Sequence, residues 1–246
     1  MNLVIIQAHI ASTRLPAKVM KKIKDKEVLL HVYERCLRAK KVDKVVIATS
    51  TNKENDEIEN FCKKYNISCF RGSENDVLDR YYQCAKVYNP DIVIRVTSDC
   101  PLLEPKLIDY WVSNMEKDKI EFVEEEKELY TGFGVDIFSM EALEKMKKLS
   151  TKDKQKEHVI GYYLDNSNKF STKKYPLKEE LKYLYRPYRL TLDTVEDFNL
   201  INMLYEKFYK NNFADLKDVV NFIDQNKDIL SFNSDIKQKN YYEQKE

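Results

Sequence analysis

Leu3-Val4-Ile5-Ile6-Gln7-Ala8-His9-Ile10-Ala11-Ser12-Thr13-Arg14-Leu15-Pro16-Ala17-Lys18 opens the chain on a change of character that decides its class. Leu3 to Gln7 is a short apolar run without polar alternation, the pattern of a strand covered on both faces. It runs directly into a loop carrying hydroxyls, Pro16 and two cations four residues apart, Arg14 and Lys18. A buried strand whose carboxyl end releases a polar, cationic loop is the first unit of a parallel α/β sheet.

The same alternation continues outward. Val28, Leu29, Val32, Cys36 and Leu37 recur at helical spacing, so a helix is expected from about Glu27 to Lys40. Lys44 to Thr49 reads as a second buried strand. Thr51 with Glu54 has the form of a capping box for a helix running to about Tyr65. Ile67 to Phe70 reads as a third strand, and Ser73 as the cap of a helix to Val87. Ile92 to Val96 is a fourth strand, ending at Thr97-Ser98-Asp99-Cys100-Pro101, and a helix follows Pro105. Strands separated by helices predict βαβ units in a mostly parallel sheet with right-handed crossovers, a three-layer α/β/α sandwich. Ligands in such folds bind outside the carboxyl ends of the strands.

The second half is less regular. A strand-like stretch from Tyr130 to Phe138 precedes a helix from about Ser139 to Lys148, and residues 150–157 read as a charged linker or helix start. Lys169 to Tyr175 and Tyr188 to Leu192 are further candidate strands, and Thr194 with Asp197 caps a helix to about Tyr209. The expected organisation is one domain over 1–230, with a substrate-facing or dimer-forming insertion around 125–185. Residues 231–246 are expected to form a frayed polar tail.

Composition removes several function classes. The 246 residues are 43% hydrophobic and 34% charged, so the chain buries a sizeable core. Its 42 Lys+Arg against 41 Asp+Glu give a net charge of +1, which argues against a surface-wide field for nucleic acid or an anionic membrane. The N-terminal apolar run is too short to cross a bilayer and follows no charged region, so a cytoplasmic protein without membrane or nucleic-acid partners is expected. Five cysteines without a C-x-x-C pair fit neither a disulfide framework nor a zinc knuckle and read as reduced thiols, mostly buried. The four glycines, Gly72, Gly132, Gly134 and Gly161, cannot make a dinucleotide fingerprint or a P-loop. A phosphate site in this chain needs another device.

That device is available in the first loop. Arg14 can fork onto phosphate oxygens, Lys18 supplies a point charge, and Ser12, Thr13 and the backbone N–H groups can complete an anion nest; the alternative is a solvated basic loop. Asp99, just past a buried strand, could ligate Mg²⁺ or form an Asx turn. Asp193 could be a second metal carboxylate, or the residue before the Thr194 cap. Arg71, Ser73, Asp79 and Arg80 could read a base edge or serve turn and cap chemistry. Glu157-His158 is a weaker pair, and Arg186 with Arg189 could hold an anionic acceptor.

Together these segments resemble a family. Residues 5–8 and 12–18 are similar to the N-terminal motif of sugar-activating cytidylyltransferases, such as those for acylneuraminate and 3-deoxy-manno-octulosonate. The SpsF-type, spore-coat polysaccharide branch is very similar in Phe70-Arg71-Gly72-Ser73, in residues 76–82, in Thr97 to Leu102 and in Leu190 to Thr194. The resemblance implies a nucleotide-diphospho-sugar transferase-like fold, commonly dimeric, using Mg²⁺ or Mn²⁺. It implies transfer of CMP from CTP to an acidic sugar or related acceptor with release of pyrophosphate. Arg14 and Lys18 would grip the triphosphate, and Asp99 and Asp193 would hold the metal. Gln7, Ala8, His9, Ser12, Thr13, Arg71, Ser73, Asp79, Arg80, Thr97 and Ser98 would line the nucleotide, and Asp136, Glu157, His158 and Arg189 the acceptor. His9 stands where the family usually has Arg, and Ala17 where it usually has Gly. Those departures keep open another nucleotide, a phosphorylated acceptor, or a nucleotide-binding protein that has lost catalysis.

Overall fold

The computed structural model of the chain describes residues 1–127, 129–130, 132–237 and 241–243. The elements in chain order begin with β1 (Asn2–Gln7), a hairpin of β2 (Lys22–Ile23) and β3 (Lys26–Glu27), and α1 (Val28–Cys36). Next come β4 (Lys44–Ser50), α2 (Asp56–Tyr65), β5 (Cys69–Gly72), α3 (Val77–Tyr88), β6 (Ile92–Thr97) and α4 (Pro105–Asp118). The second half supplies β7 (Phe122–Glu125), β8 (Asp136–Ser139), α5 (Met140–Leu149), α6 (Asp153–Glu157), α7 (Gly161–Asp165) and β9 (Thr172–Tyr175). It closes with α8 (Val195–Phe208), the hairpin β10 (Tyr209–Lys210) and β11 (Phe213–Ala214), and α9 (Leu216–Gln225).

One sheet organises the molecule, with strand order β5-β4-β1-β6-β8-β7-β9. The β5, β4, β1 and β6 strands are mutually parallel, while β8 runs antiparallel to β6 and to β7. Alternate residues of the apolar strands face opposite layers. Val4, Ile6, Val45 and Ile47 join a core under α1, α2, α4, α8 and α9. Leu3, Ile5, Val46 and Ala48 join the core under α3, α5 and α7. Burial on both faces explains why the strands read as continuous apolar runs. The result is the expected three-layer α/β/α sandwich. Among the described residues, no helix is long and apolar enough to cross a membrane.

Register places the site. Gln7 pairs with Ala48 and Thr97, and Ser50 with Gly72, so β1, β4, β5 and β6 release their loops along one sheet edge. Because β8 is antiparallel, it begins at that edge, with Asp136 opposite Arg95.

Local differences from the sequence expectations have local causes. Thr51 caps nothing: its N–H still pairs with the Gly72 carbonyl at 3.0 Å, so the chain leaves the sheet late and α2 starts at Asp56. The third strand lies two residues further on, and α3 is capped by Asp76, whose Oδ1 accepts from the Asp79 N–H at 2.7 Å. Ser73 instead closes the preceding turn, accepting from the Asp76 N–H at 3.0 Å. The 188–192 stretch is not a strand. It is buried, and its polar groups pair with a loop rather than with a sheet: the Leu192 N–H donates to the Asp99 carbonyl at 2.8 Å. The Thr194–Asp197 capping box is formed. Both β7 and α9 escaped the sequence reading; residues 238–240 and 244–246 of the expected frayed tail lie outside the described residues, and its described part packs onto the domain. Asn233 is buried, and Tyr241 Oη donates to the Gly161 carbonyl at 3.2 Å.

Candidate active site

The loop after β1 turns back at Ala17, which adopts left-handed φ 50° and starts a short 3-10 turn, Lys18–Met20. That turn buries Lys18, whose side chain is 8% exposed, and aims its ammonium across the sheet edge. Lys18 Nζ donates to Asp99 Oδ2 at 2.9 Å and to Asp193 Oδ1 at 2.7 Å. Three segments separated by 81 to 175 positions thus meet on one cation. The Asp99 and Asp193 loops are stitched directly as well, since Thr191 Oγ1 donates to the Asp99 carbonyl at 3.2 Å. Behind this seam Gly132, at φ 109°, lies against the Leu190 backbone, where a Cβ would come within 2.5 Å. Only glycine permits that approach.

Asp193 is held from several directions. Arg14 Nη2 lies 3.4 Å and Arg189 Nη2 3.0 Å from its Oδ2. Arg189 in turn forks onto Asp197, with Nε to Oδ1 and Nη2 to Oδ2 both at 2.9 Å. Asp197, fully buried, also accepts from the Asp193 N–H at 3.0 Å. Charged groups this deep persist only when mutually paired. Burial alone would lower the Lys18 ammonium, but Asp99 and Asp193 outweigh it and hold its pKa above the ordinary lysine value. Burial alone would raise the Asp99 carboxyl, but Lys18 outweighs it and keeps it below the usual carboxylate range. Lys18 and Asp99 therefore both carry their charges across neutral pH.

Beside it opens a cavity of about 860 Å³, lined by Gln7, His9, Ser73, Arg80, Arg95 and His158 among others. The volume suits a nucleotide-sized ligand. Arg80 is buried, donates Nη1 to the Ser73 carbonyl at 2.6 Å, and keeps an Nε with no partner. Arg95 forms a wall, with Nη1 2.5 Å from Asp136 Oδ2 and Nε 3.2 Å from Gln7 Oε1. His9 stands exposed at the rim, where partial burial of the ring and then the Lys18 charge lower its pKa, so its imidazole is neutral at pH 7.

The candidate residues thus divide. Arg14, Lys18, Asp99, Asp193 and Arg189 form the charged cluster, while Gln7, His9, Ser73, Arg80, Glu157 and His158 line the cavity. The Glu157–His158 pair therefore shares one chamber with the Ser73–Arg80 side, and Arg189 faces Asp193 and Asp197 instead of that chamber. Asp136 caps Arg95 at the wall. Ala8 continues the sheet, its N–H donating to Ala48. Ser98 is buried, and its N–H donates to the Gln7 carbonyl. Thr97 Oγ1 sits 3.3 Å from Cys100 Sγ, and Ser12 Oγ accepts from the Leu15 N–H. Thr13 is exposed on the loop. Arg71 turns away to Asp56 and Glu59, Asp79 to Lys147, and Arg186 to Asp224. Sequence reading missed Arg95 and the depth of Asp197. Arg95 left a legible signal, a single charge inside the apolar run Ile92–Val96.

Two carboxylates that reach one cation are a donor set for Mg²⁺, which takes one or two carboxylates and fills its remaining positions with phosphate oxygens and water. Among the described residues no group of three or more His, Cys, Asp or Glu could enclose a metal unaided. The residues present fit an ion shared with a polyphosphate.

A model of the cytidylyltransferase family matches residues 3–246. The chain belongs to the cytidylyltransferase family. It is 38% identical over 243 residues to an uncharacterized protein of Methanocaldococcus jannaschii, covering 98% of each chain. It is 29% identical over 248 residues to the spore coat polysaccharide biosynthesis protein SpsF of Bacillus subtilis, covering 93% of this chain and 96% of that one. A solved cytidylyltransferase structure from Leptospira borgpetersenii superimposes with a TM-score of 0.85 at 32% identity, covering 96% of this chain and 99% of the other. The chain is thus a nucleotidyltransferase.

Proposed function

We propose that this cytidylyltransferase moves CMP from CTP to an oxygen of a sugar-type acceptor, an acidic sugar or close relative, in building a surface polysaccharide or glycoconjugate. The acceptor oxygen attacks the α-phosphorus, the bond to the bridging oxygen breaks, and pyrophosphate leaves. The observation that carries the reading is the meeting of Lys18 and Arg14 with Asp99 and Asp193 beside a nucleotide-sized cavity. The relationship to SpsF supports the glycan assignment.

The chain's own residues have separable tasks. Lys18 and Arg14 sit where negative charge develops on the departing pyrophosphate, and a fixed cation in a partly dry site stabilises such charge with little reorganisation. Arg80, His9 and the Arg95–Asp136 wall orient the nucleotide and acceptor. Asp99 and Asp193 would hold Mg²⁺ or Mn²⁺, which supplies charge neutralisation on the phosphates and a lowered pKa for an acceptor hydroxyl. No protein nucleophile is required.

The test is pyrophosphate release with CTP, Mg²⁺ and a panel of acidic sugars, run against the other nucleoside triphosphates. CTP-dependent release with at least one sugar acid is expected. Release with another triphosphate only would move the base assignment. CTP binding without turnover across the panel would support a nucleotide-binding protein that has lost catalysis.

A further inference from the structure

We propose that Asn233, in the segment beyond α9, is a positioning residue of the active site: its side-chain amide fixes Asp197 and the Arg189 backbone, and through them the Asp193 carboxylate. The proposal rests on the metal-triphosphate reading of the cleft.

Asn233 is 5% exposed, although it belongs to a polar stretch of the chain. Its Nδ2 donates to Asp197 Oδ1 at 2.9 Å and to the Arg189 carbonyl at 3.1 Å. Those two acceptors control Asp193. The Asp197 carboxylate takes the Asp193 and Thr194 N–H groups at 3.0 and 3.2 Å, which sets the backbone at the functional residue. Arg189 lies between the two carboxylates and places its Nη2 on both, 3.0 Å from Asp193 and 2.9 Å from Asp197. One hydrogen-bonded chain therefore runs Asn233–Asp197–Arg189–Asp193–Lys18–Asp99.

Within that chain Asn233 has a task a cation could not share. Asp197 already balances Arg189, so a neutral donor adds a hydrogen bond without disturbing the charge count. Replacing it by Ala leaves Asp197 Oδ1 with Arg189 alone, and Arg189 can then tilt away from Asp193. Replacing it by Asp keeps the shape but sets an acceptor against an acceptor. In both cases Asp193 loses orientation while Lys18 and Asp99 keep their own contact. Outer groups that orient a ligating side chain characteristically alter metal affinity or activity about 10–100-fold when removed.

The experiment titrates Mn²⁺ into the full-length protein with CTP present, followed by electron paramagnetic resonance of free Mn²⁺, and compares wild type, Asn233→Ala, Asn233→Asp and the neighbouring control Ser234→Ala. The metal-free affinity for CTP is measured in parallel. In wild type, Mn²⁺ is expected to bind with CTP. Asn233→Ala and Asn233→Asp are expected to weaken that binding about 10–100-fold, with metal-free CTP affinity within about twofold of wild type and Ser234→Ala unchanged. Unaltered Mn²⁺ binding in a folded Asn233 variant would overturn the proposal. So would parallel loss of metal-free CTP binding, or failure of both variants to fold, either of which marks a structural role only. Failure of the wild type itself to bind Mn²⁺ with CTP would instead defeat the functional reading on which the proposal stands.

Discussion

The two ends of the cleft are held in opposite ways. At the Lys18 end the charges are paired and the inner ones nearly dry: Lys18 is 8% and Asp193 10% exposed, and Arg189 links Asp193 to fully buried Asp197, with Asp99 and Arg14 on the more open side. At the other end His9 is exposed and Lys156 is spent on an exposed Asp153, while Arg80 alone of the three is buried. The contrast separates two physical jobs. Stabilising charge in a transition state needs groups fixed in advance, because reorganisation during the reaction is costly. Recognising a ligand tolerates groups that complete their bonds on binding. On the proposed function, the end assigned to chemistry is built like a core, and the end assigned to recognition combines buried Arg80 with exposed His9.

The contrast can be broken most directly at Asp99. Asp99→Asn is expected to lower kcat by about a thousandfold, the several kcal/mol that a charge-stabilising group supplies, and to lower thermal stability as well, because buried Lys18 loses one of its two carboxylate partners. Stopped-flow pyrophosphate release checks it, and a loss below tenfold would remove Asp99 from the chemical end. Arg80→Met addresses the recognition end. A hydrogen bond from a charged donor is worth about 1.5–3 kcal/mol, so KM for CTP should rise roughly 10- to 100-fold while kcat changes little. A matching fall in kcat would show that the two ends do not divide the work.

Protonation sharpens the same division. Asp99 is depressed by Lys18, so its contribution to stability is present above its unfolded pKa, about 3.9, and fades as pH falls through the lower folded value. Lys18 is raised by the two aspartates, so its contribution is complete below about pH 10.4 and fades as pH rises through the higher folded value. Calorimetry between pH 5 and 9 should therefore find no transition from Lys18 or Asp99. His9 shifts in the opposite direction to Lys18, because partial burial and Lys18 lower its folded pKa. Stability linked to it is present above about pH 6.5 and declines as pH falls through the lower folded value. Protonation there adds a cation facing the nucleotide, so CTP affinity should improve on acidification in wild type and not in His9→Arg. At pH 7.5, His9→Arg should lower KM for CTP about two- to fivefold, the scale of one exposed charge contact.

The smallest effect tests the backbone at the chemical end. Ala17 stands at φ 50°, a conformation that costs a residue with a Cβ roughly 1–2 kcal/mol. Ala17→Gly removes that strain and loses roughly 0.5–1 kcal/mol to chain entropy. A net gain of about 1 kcal/mol corresponds to a Tm rise of about 2–4 °C for a chain of this size. Differential scanning calorimetry checks it, and an unchanged or lower Tm would show that the turn at Lys18 is not strained.

Legibility followed the range of the interactions. The β1, β4 and β6 strands are visible in sequence because each carries an apolar run without polar alternation, broken only by Arg95 in β6, as burial on both sheet faces requires. Thr194–Asp197 is visible because a capping box is local. The Thr51 box failed because a long-range strand contact with Gly72 competes for its backbone. Arg71 and Asp79 looked like ligand contacts by residue type, yet partners at Glu59 and Lys147 claim them. Arg186 looked like an acceptor contact and is fastened to Asp224.

What the amino-acid order determined by itself was the alternation of buried strands and amphipathic helices, and with it the sheet edge at which loops carrying Arg14, Lys18 and Asp99 emerge. Those are consequences of period and burial, which act over a few residues. What only the tertiary structure decided was partnership: that Asp193 closes on Lys18 across 175 positions, and that Asn233 reaches Asp197 from beyond the last long helix. A buried charge takes its counter-charge from wherever the packed core brings one, and no window along the chain contains that information.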